Sequence, residues 1–108
     1  MDLHVIEPIG ILAGTKAPEL RQQAIAAFEN GAKMLLIDLK DTTFMDSSGL
    51  GALIMCLKAA RSADAQMYIC SINDQIRMLF ELTSMDRVFE IFDSREEFEK
   101  ILSSMIAS

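Results

Sequence analysis

The sequence predicts an α/β domain with a largely parallel sheet, and three observations carry that reading. Met34 to Ile37 is a continuous apolar run, as expected of a central strand covered on both faces. Short apolar segments alternate with stretches of helical period along the chain. Helix ends are marked by residues with a physical reason to sit there, such as Pro18, Gly31 and the pair Ser94 and Glu97.

Leu3 to Leu12 reads as a strand, or two short ones broken at Pro8, which confines the segment to an edge or a bend. A helix follows from about Lys16 to Asn30. Pro18 falls in its first turn, Glu19 suits the positive end of the dipole, and Leu20, Ala24, Ala27 and Phe28 share one face. Met34 to Leu39 is the central strand, and a short polar loop leads from it to a second helix, about Ser48 to Ser62. Leu50, Leu53, Ile54 and Leu57 form that helix's inner stripe. Its opposite side carries Ala52, Met55 and Ala59, with no charge before Lys58. Met67 to Cys70 is the next strand, and Asn73 to Leu82 a third helix with Ile76, Leu79 and Phe80 inward. Val88 to Phe92 reads as the last strand. The final helix opens on the Ser94–Glu97 capping box and buries Phe98, Ile101, Leu102 and Met105.

The 108 residues suit one domain, 1–108, with no internal repeat or linker. No run approaches the roughly 18 apolar residues of a membrane span, and the first ten residues lack the basic-then-apolar pattern of a signal peptide. Cys56 and Cys70 lie in apolar stretches, as buried reduced thiols of a cytoplasmic protein do. A net charge of −6 speaks against nucleic acid as partner, because neutralising phosphates needs a basic face. No Cys/His cluster has metal-ligand spacing, and the single histidine, His4, is a packing or surface residue. Neither a phosphate-binding G-x-x-x-x-G-K loop nor a dinucleotide fingerprint is present, and Ser48 lacks the preceding Gly-x of a nucleophile elbow. The sequence predicts no enzyme, no metal and no cofactor.

The informative stretch is Asp46-Ser47-Ser48-Gly49-Leu50-Gly51, at the junction of loop and second helix. Two glycines leave the first turn nearly bare, although glycine costs roughly 1 kcal/mol in a helix. Ser47 either merely caps the helix, with the glycines allowing close helix–sheet packing, or accepts a phosphate, which brings close to two negative charges to a helix N-terminus. In the second case Ala52, Met55 and Ala59, if uncovered, form a binding face beside a modifiable serine.

Leu36-Ile37-Asp38-Leu39 followed by Phe44-Met45-Asp46-Ser47-Ser48-Gly49-Leu50-Gly51 resembles the signature of STAS domains, in particular the anti-sigma factor antagonists of bacteria. The segments 73–80 and 88–93 resemble the family's third helix and closing strand. The resemblance implies a mixed, mainly parallel sheet of about four to five strands flanked by about four helices. It also implies partner switching. Ser47 is the implied phosphorylation site, modified by an anti-sigma factor serine kinase and reset by a PP2C-type phosphatase, with the unphosphorylated form binding the anti-sigma factor. The residues expected to bind the partner are Asp46, Ser48, Gly49 and Gly51 of the junction, with Ala52, Met55 and Ala59 of the helix's outer side. The domain is then a substrate and a binding module in transcription regulation, without a membrane or nucleic acid as partner. Two departures stand out. Ala13 in Gly10-Ile11-Leu12-Ala13 takes the place of an acidic residue, which leaves a STAS module with a non-sigma partner, in two-component-like signalling or membrane transport, as the alternative. The N-terminus is short for the family, and a curtailed edge strand favours a homodimer.

Overall fold

The computed structural model describes residues 3–107, so the ends of the expected 1–108 unit lie outside the described residues. Its elements are β1 (Leu3–Ile6), β2 (Gly10–Leu12), α1 (Lys16–Glu29), β3 (Met34–Asp38), β4 (Thr42–Met45), α2 (Ser47–Ser62), β5 (Gln66–Cys70), α3 (Asp74–Leu82), β6 (Ile91–Phe92) and α4 (Arg95–Ala107). Four strands in the order β1-β3-β5-β6 form one sheet, and every pairing in it is parallel. β2 and β4 form a separate parallel ribbon.

Alternation along the strands divides the interior in two. Leu35 and Ile37 of β3 and Met67 and Ile69 of β5 face a cluster with Leu20 and Ala24 of α1, Leu53 and Cys56 of α2, and Ile76 and Phe80 of α3. Met34, Leu36, Tyr68 and Cys70 face the other way, against Phe98. Tyr68, Phe92 and Phe98 meet there with ring centroids 5.3 to 5.9 Å apart.

Three expectations need correction. The stretch after β3 is not a loop throughout, because Thr42–Met45 pairs with β2, with Ile11 opposite Phe44 and Leu12 opposite Met45. The expected strand from Val88 to Phe92 keeps only Ile91 and Phe92. Before it runs a 3-10 turn, Met85–Arg87, which carries Phe89 inward to 5.6 Å from Phe80. In α4, Phe98 is buried, but Ile101 and Met105 are 45% and 43% exposed. Among the described residues α4 is the one helix that contributes to the cluster on that face, and its outer flank stays exposed. Its start is as expected, with the Glu97 N–H donating to Ser94 Oγ at 3.1 Å.

Both cysteines are buried and unbridged. Burial pushes the Cys56 thiol from 9.0 up to about 12, against a smaller pull from Arg21. Burial likewise pushes Cys70 up to about 11, opposed by a hydrogen bond from Ser71 and reinforced by the charge of Asp38. The unfolded chain releases these protons from about pH 9, the folded chain only near 11 to 12. Their contribution to stability is therefore intact below pH 9 and is lost as pH rises through that window. Neither thiol is expected to react with a disulfide reagent in the native protein at pH 8, whereas both react in denaturant. Rapid native labelling of either would contradict this packing.

Candidate functional site

α2 begins where the ribbon ends. Asp46 has extended backbone (φ −109°, ψ −169°), and its carboxylate accepts from the N–H groups of Ser48 at 2.9 Å and Gly49 at 3.1 Å. The Asp46 carbonyl takes the first helical bond, from Leu50 N–H at 3.0 Å. The cap is thus Asp46, and Ser47 is the first residue of the helix, exposed to solvent. Replacing Asp46 with alanine should cost about 1–2 kcal/mol, since two first-turn donors lose their acceptor. Urea unfolding checks this, and an unchanged midpoint would contradict it.

The first-turn glycines have different surroundings. Gly49 is buried under the ribbon. A Cβ there would overlap the Leu12 carbonyl oxygen and come within 2.7 Å of Met45 Cγ. Gly51 is half-buried, and a Cβ there would meet nothing within 4 Å. The bareness of the turn therefore serves packing at 49 and leaves open surface only at 51.

Of the expected face, Ser48 is exposed and Asp46 half-buried. Met55 is 36% exposed, while Ala52 is 6% exposed and belongs to the same core cluster as Ala17, Leu20 and Ala24. Ala52 is thus removed from the exposed strip. The buried side of α2 is Gly49, Ala52, Leu53, Cys56 and Ala60 together with Leu50, and Ile54 and Leu57 are only half-buried. The reason is α1. Small residues on both helices let them lie side by side, close enough for Cys56 Sγ to reach the Leu20 carbonyl at 3.9 Å. Ala59 lines a shallow apolar groove of about 300 Å³ with Ile25, Phe28 and Ala63, at the far end of α2.

Two features escaped the sequence reading. The first is apolar exposure at the ribbon: Ile9, just before β2, and Ile11 within it are 69% and 57% exposed, and Phe44 of β4, three residues before Ser47, is 44% exposed. The β-branched and aromatic run Thr42-Thr43-Phe44 was the signal for this strand. The second is α3, whose Asn73 and Gln75 side chains hydrogen-bond to the backbone of β4. Among the described residues, no group of three or more His, Cys, Asp or Glu side chains is placed to hold a metal, and no helix is long and apolar enough to cross a membrane.

The STAS domain family model matches residues 2–98. The chain belongs to the STAS domain family. This STAS domain is 30% identical over 79 residues to the anti-sigma-B factor antagonist of Staphylococcus aureus, with 73% of each chain covered. It is similar in fold to the anti-sigma factor antagonist SpoIIAA. The TM-score is 0.78 to the unphosphorylated form (17% identity, covering 94% of this chain and 90% of that one) and 0.70 to the phosphorylated form from Bacillus (18%, 93% and 91%). It is also similar in fold to a sulfate transporter family protein from Wolinella succinogenes, with a TM-score of 0.86, 12% identity, and coverage of 100% and 90%.

Proposed function

We propose that this STAS domain is an anti-sigma factor antagonist switched by phosphorylation at Ser47. Unphosphorylated, it binds an anti-sigma factor that is also a serine kinase, so sigma is released. Phosphorylated, it lets that partner go, and a PP2C-type phosphatase restores the hydroxyl. The domain is the kinase's substrate and a binding module in the cytoplasm, and the catalytic groups belong to its partners.

The observation that carries this reading is an exposed hydroxyl at the first position of α2, directly after the capping aspartate, in a chain related to an anti-sigma-B factor antagonist. The cap explains how a phosphate there would act. Asp46 already occupies the Ser48 and Gly49 N–H groups. A phosphate on Ser47 therefore finds few free donors and a neighbouring negative charge, and projects outward. It would change the surface far more than the fold. The apolar ribbon of Ile11 and Phe44, with Gly51 and Met55 on the helix, forms the docking surface around it.

Incubation with the cognate kinase and ATP followed by mass spectrometry tests the proposal. One phosphate on Ser47, absent from Ser47→Ala, is the expected result. An unmodified Ser47 with an active kinase refutes it.

A module acting on a non-sigma partner is the second reading, favoured by Ala13. That residue follows Leu12, whose carbonyl lies against Gly49, so the alanine falls beside the junction where the family has an acid. Recovery of a transporter or signalling protein, and no anti-sigma kinase, on the immobilised domain would favour it. We also propose homodimer formation at the open edge of β1, whose only strand partner among the described residues is β3. A sedimentation coefficient independent of concentration would remove that proposal.

A further inference from the structure

β4 has one strand neighbour among the described residues, β2, and its other edge faces α3. Two side-chain amides stand there where a third strand would be. Gln75 Oε1 accepts the Met45 N–H at 2.9 Å, and Gln75 Nε2 donates to the Met45 carbonyl at 2.8 Å. Asn73 Nδ2 donates to the carbonyls of Thr43 at 3.1 Å and Thr42 at 3.4 Å. Asn73 Oδ1 meanwhile caps α3 by accepting the Ile76 N–H at 2.9 Å. The glutamine amide matches a peptide group in carrying one acceptor and donors in a plane, so it satisfies both backbone groups of Met45 at once.

Met45 directly precedes Asp46, and Asp46 holds the first turn of α2 through Ser48 and Gly49. A continuous chain of hydrogen bonds and backbone thus runs from Gln75 through Met45 and Asp46 to the turn bearing Ser47. α3 does not need Gln75 to stay docked, because Ile76 and Phe80 on its inner face are fully buried. We propose that Gln75 is a positioning residue for the phosphoacceptor serine. Acting as the strand β4 lacks, it sets the direction in which Ser47 projects and ties α3 to the start of α2. Its functional meaning rests on Ser47 being the acceptor, whereas the clamp itself does not.

Amide hydrogen exchange on the ¹⁵N-labelled full chain tests the proposal, with Gln75→Ala and Gln75→Glu compared to wild type. Gln75→Ala is expected to raise exchange at Met45, Ser48 and Gly49 about tenfold while leaving Leu36 and Ile69 of the central sheet unchanged. Gln75→Glu keeps an acceptor for the Met45 N–H and should restore part of its protection. Ser47→Asp should shift the amide resonances of Ile76 and Arg77 in an otherwise wild-type chain and not beside Gln75→Ala. The proposal is overturned if exchange at the three amides is unchanged, or rises by the same factor as Leu36 and Ile69, which marks loss of global stability alone. A rise confined to Met45 overturns it too, because Asp46 then holds the turn without α3. So does a Ser47→Asp shift that survives Gln75→Ala. No kinase enters these measurements, so failure of Ser47 to be phosphorylated would refute the proposed function and leave the clamp standing.

Discussion

Gly49→Ala is expected to lower the free energy of unfolding by about 3 kcal/mol, at the upper end of what overpacking costs. In a domain of this size that is a fall in Tm of roughly 12–20 °C. The added methyl would overlap the Leu12 carbonyl oxygen and press on Met45 Cγ at 2.7 Å and Leu12 Cγ at 3.2 Å. The two side chains can turn aside, but the carbonyl is backbone of β2 and cannot yield without moving the ribbon. Relief must come from lifting α2 off the ribbon, which loosens Leu12 and Met45, both fully or almost fully buried. Gly51→Ala is the control. It meets nothing within 4 Å, so the only change is a better helix former, worth up to about 1 kcal/mol of added stability. Circular dichroism melts of the two variants should therefore move in opposite directions. A Gly49→Ala melt that coincides with wild type would mean that β2 does not approach the helix as closely as described.

The contrast between these glycines shows where sequence reading stops. They lie two residues apart in one turn, and the sequence leaves both open to the same two readings, close helix–sheet packing or a face for a partner. Only the ribbon, joining residues 10–12 to 42–45, separates one that packs from one that is open. That pairing is non-local, and β4 had no local signal beyond Thr42-Thr43-Phe44, which polar neighbours made look like a loop. The cap was ambiguous for a different reason. Asp and Ser are nearly equal as N-caps, and the extended backbone at Asp46 decides the matter. Ala52 illustrates a third limit. Helical period tells which residues share a face, yet a second helix alongside can bury a face that period alone assigns to solvent. The legible parts were those set by short-range physics: the helices with their stops, the apolar strands β3 and β5, and the Ser94 cap.

Ser47→Asp is expected to weaken binding to the anti-sigma factor at least about thirtyfold, equivalent to roughly 2 kcal/mol, while shifting stability by less than about 0.5 kcal/mol. Stability is spared because Ser47 is exposed and is not the cap. A carboxylate at this position gains from the helix dipole and loses a comparable amount to Asp46 beside it. Binding is not spared, because a partner lying over this turn must desolvate the new charge. The rise of 1.5 Å per residue places Gly51 about 6 Å, Met55 about 12 Å and Ala59 about 18 Å along the axis from Ser47. With a screening length near 8–10 Å in physiological salt, the charge acts on contacts around Gly51 and the neighbouring Phe44 and hardly reaches Ala59. Calorimetric titration of the anti-sigma factor with wild type, Ser47→Ala and Ser47→Asp separates these effects. Ser47→Ala should bind like wild type, since it removes no capping bond. Equal affinity of Ser47→Asp and wild type would mean that the partner docks elsewhere on the domain, and charge at the helix start would then have no route to the interface.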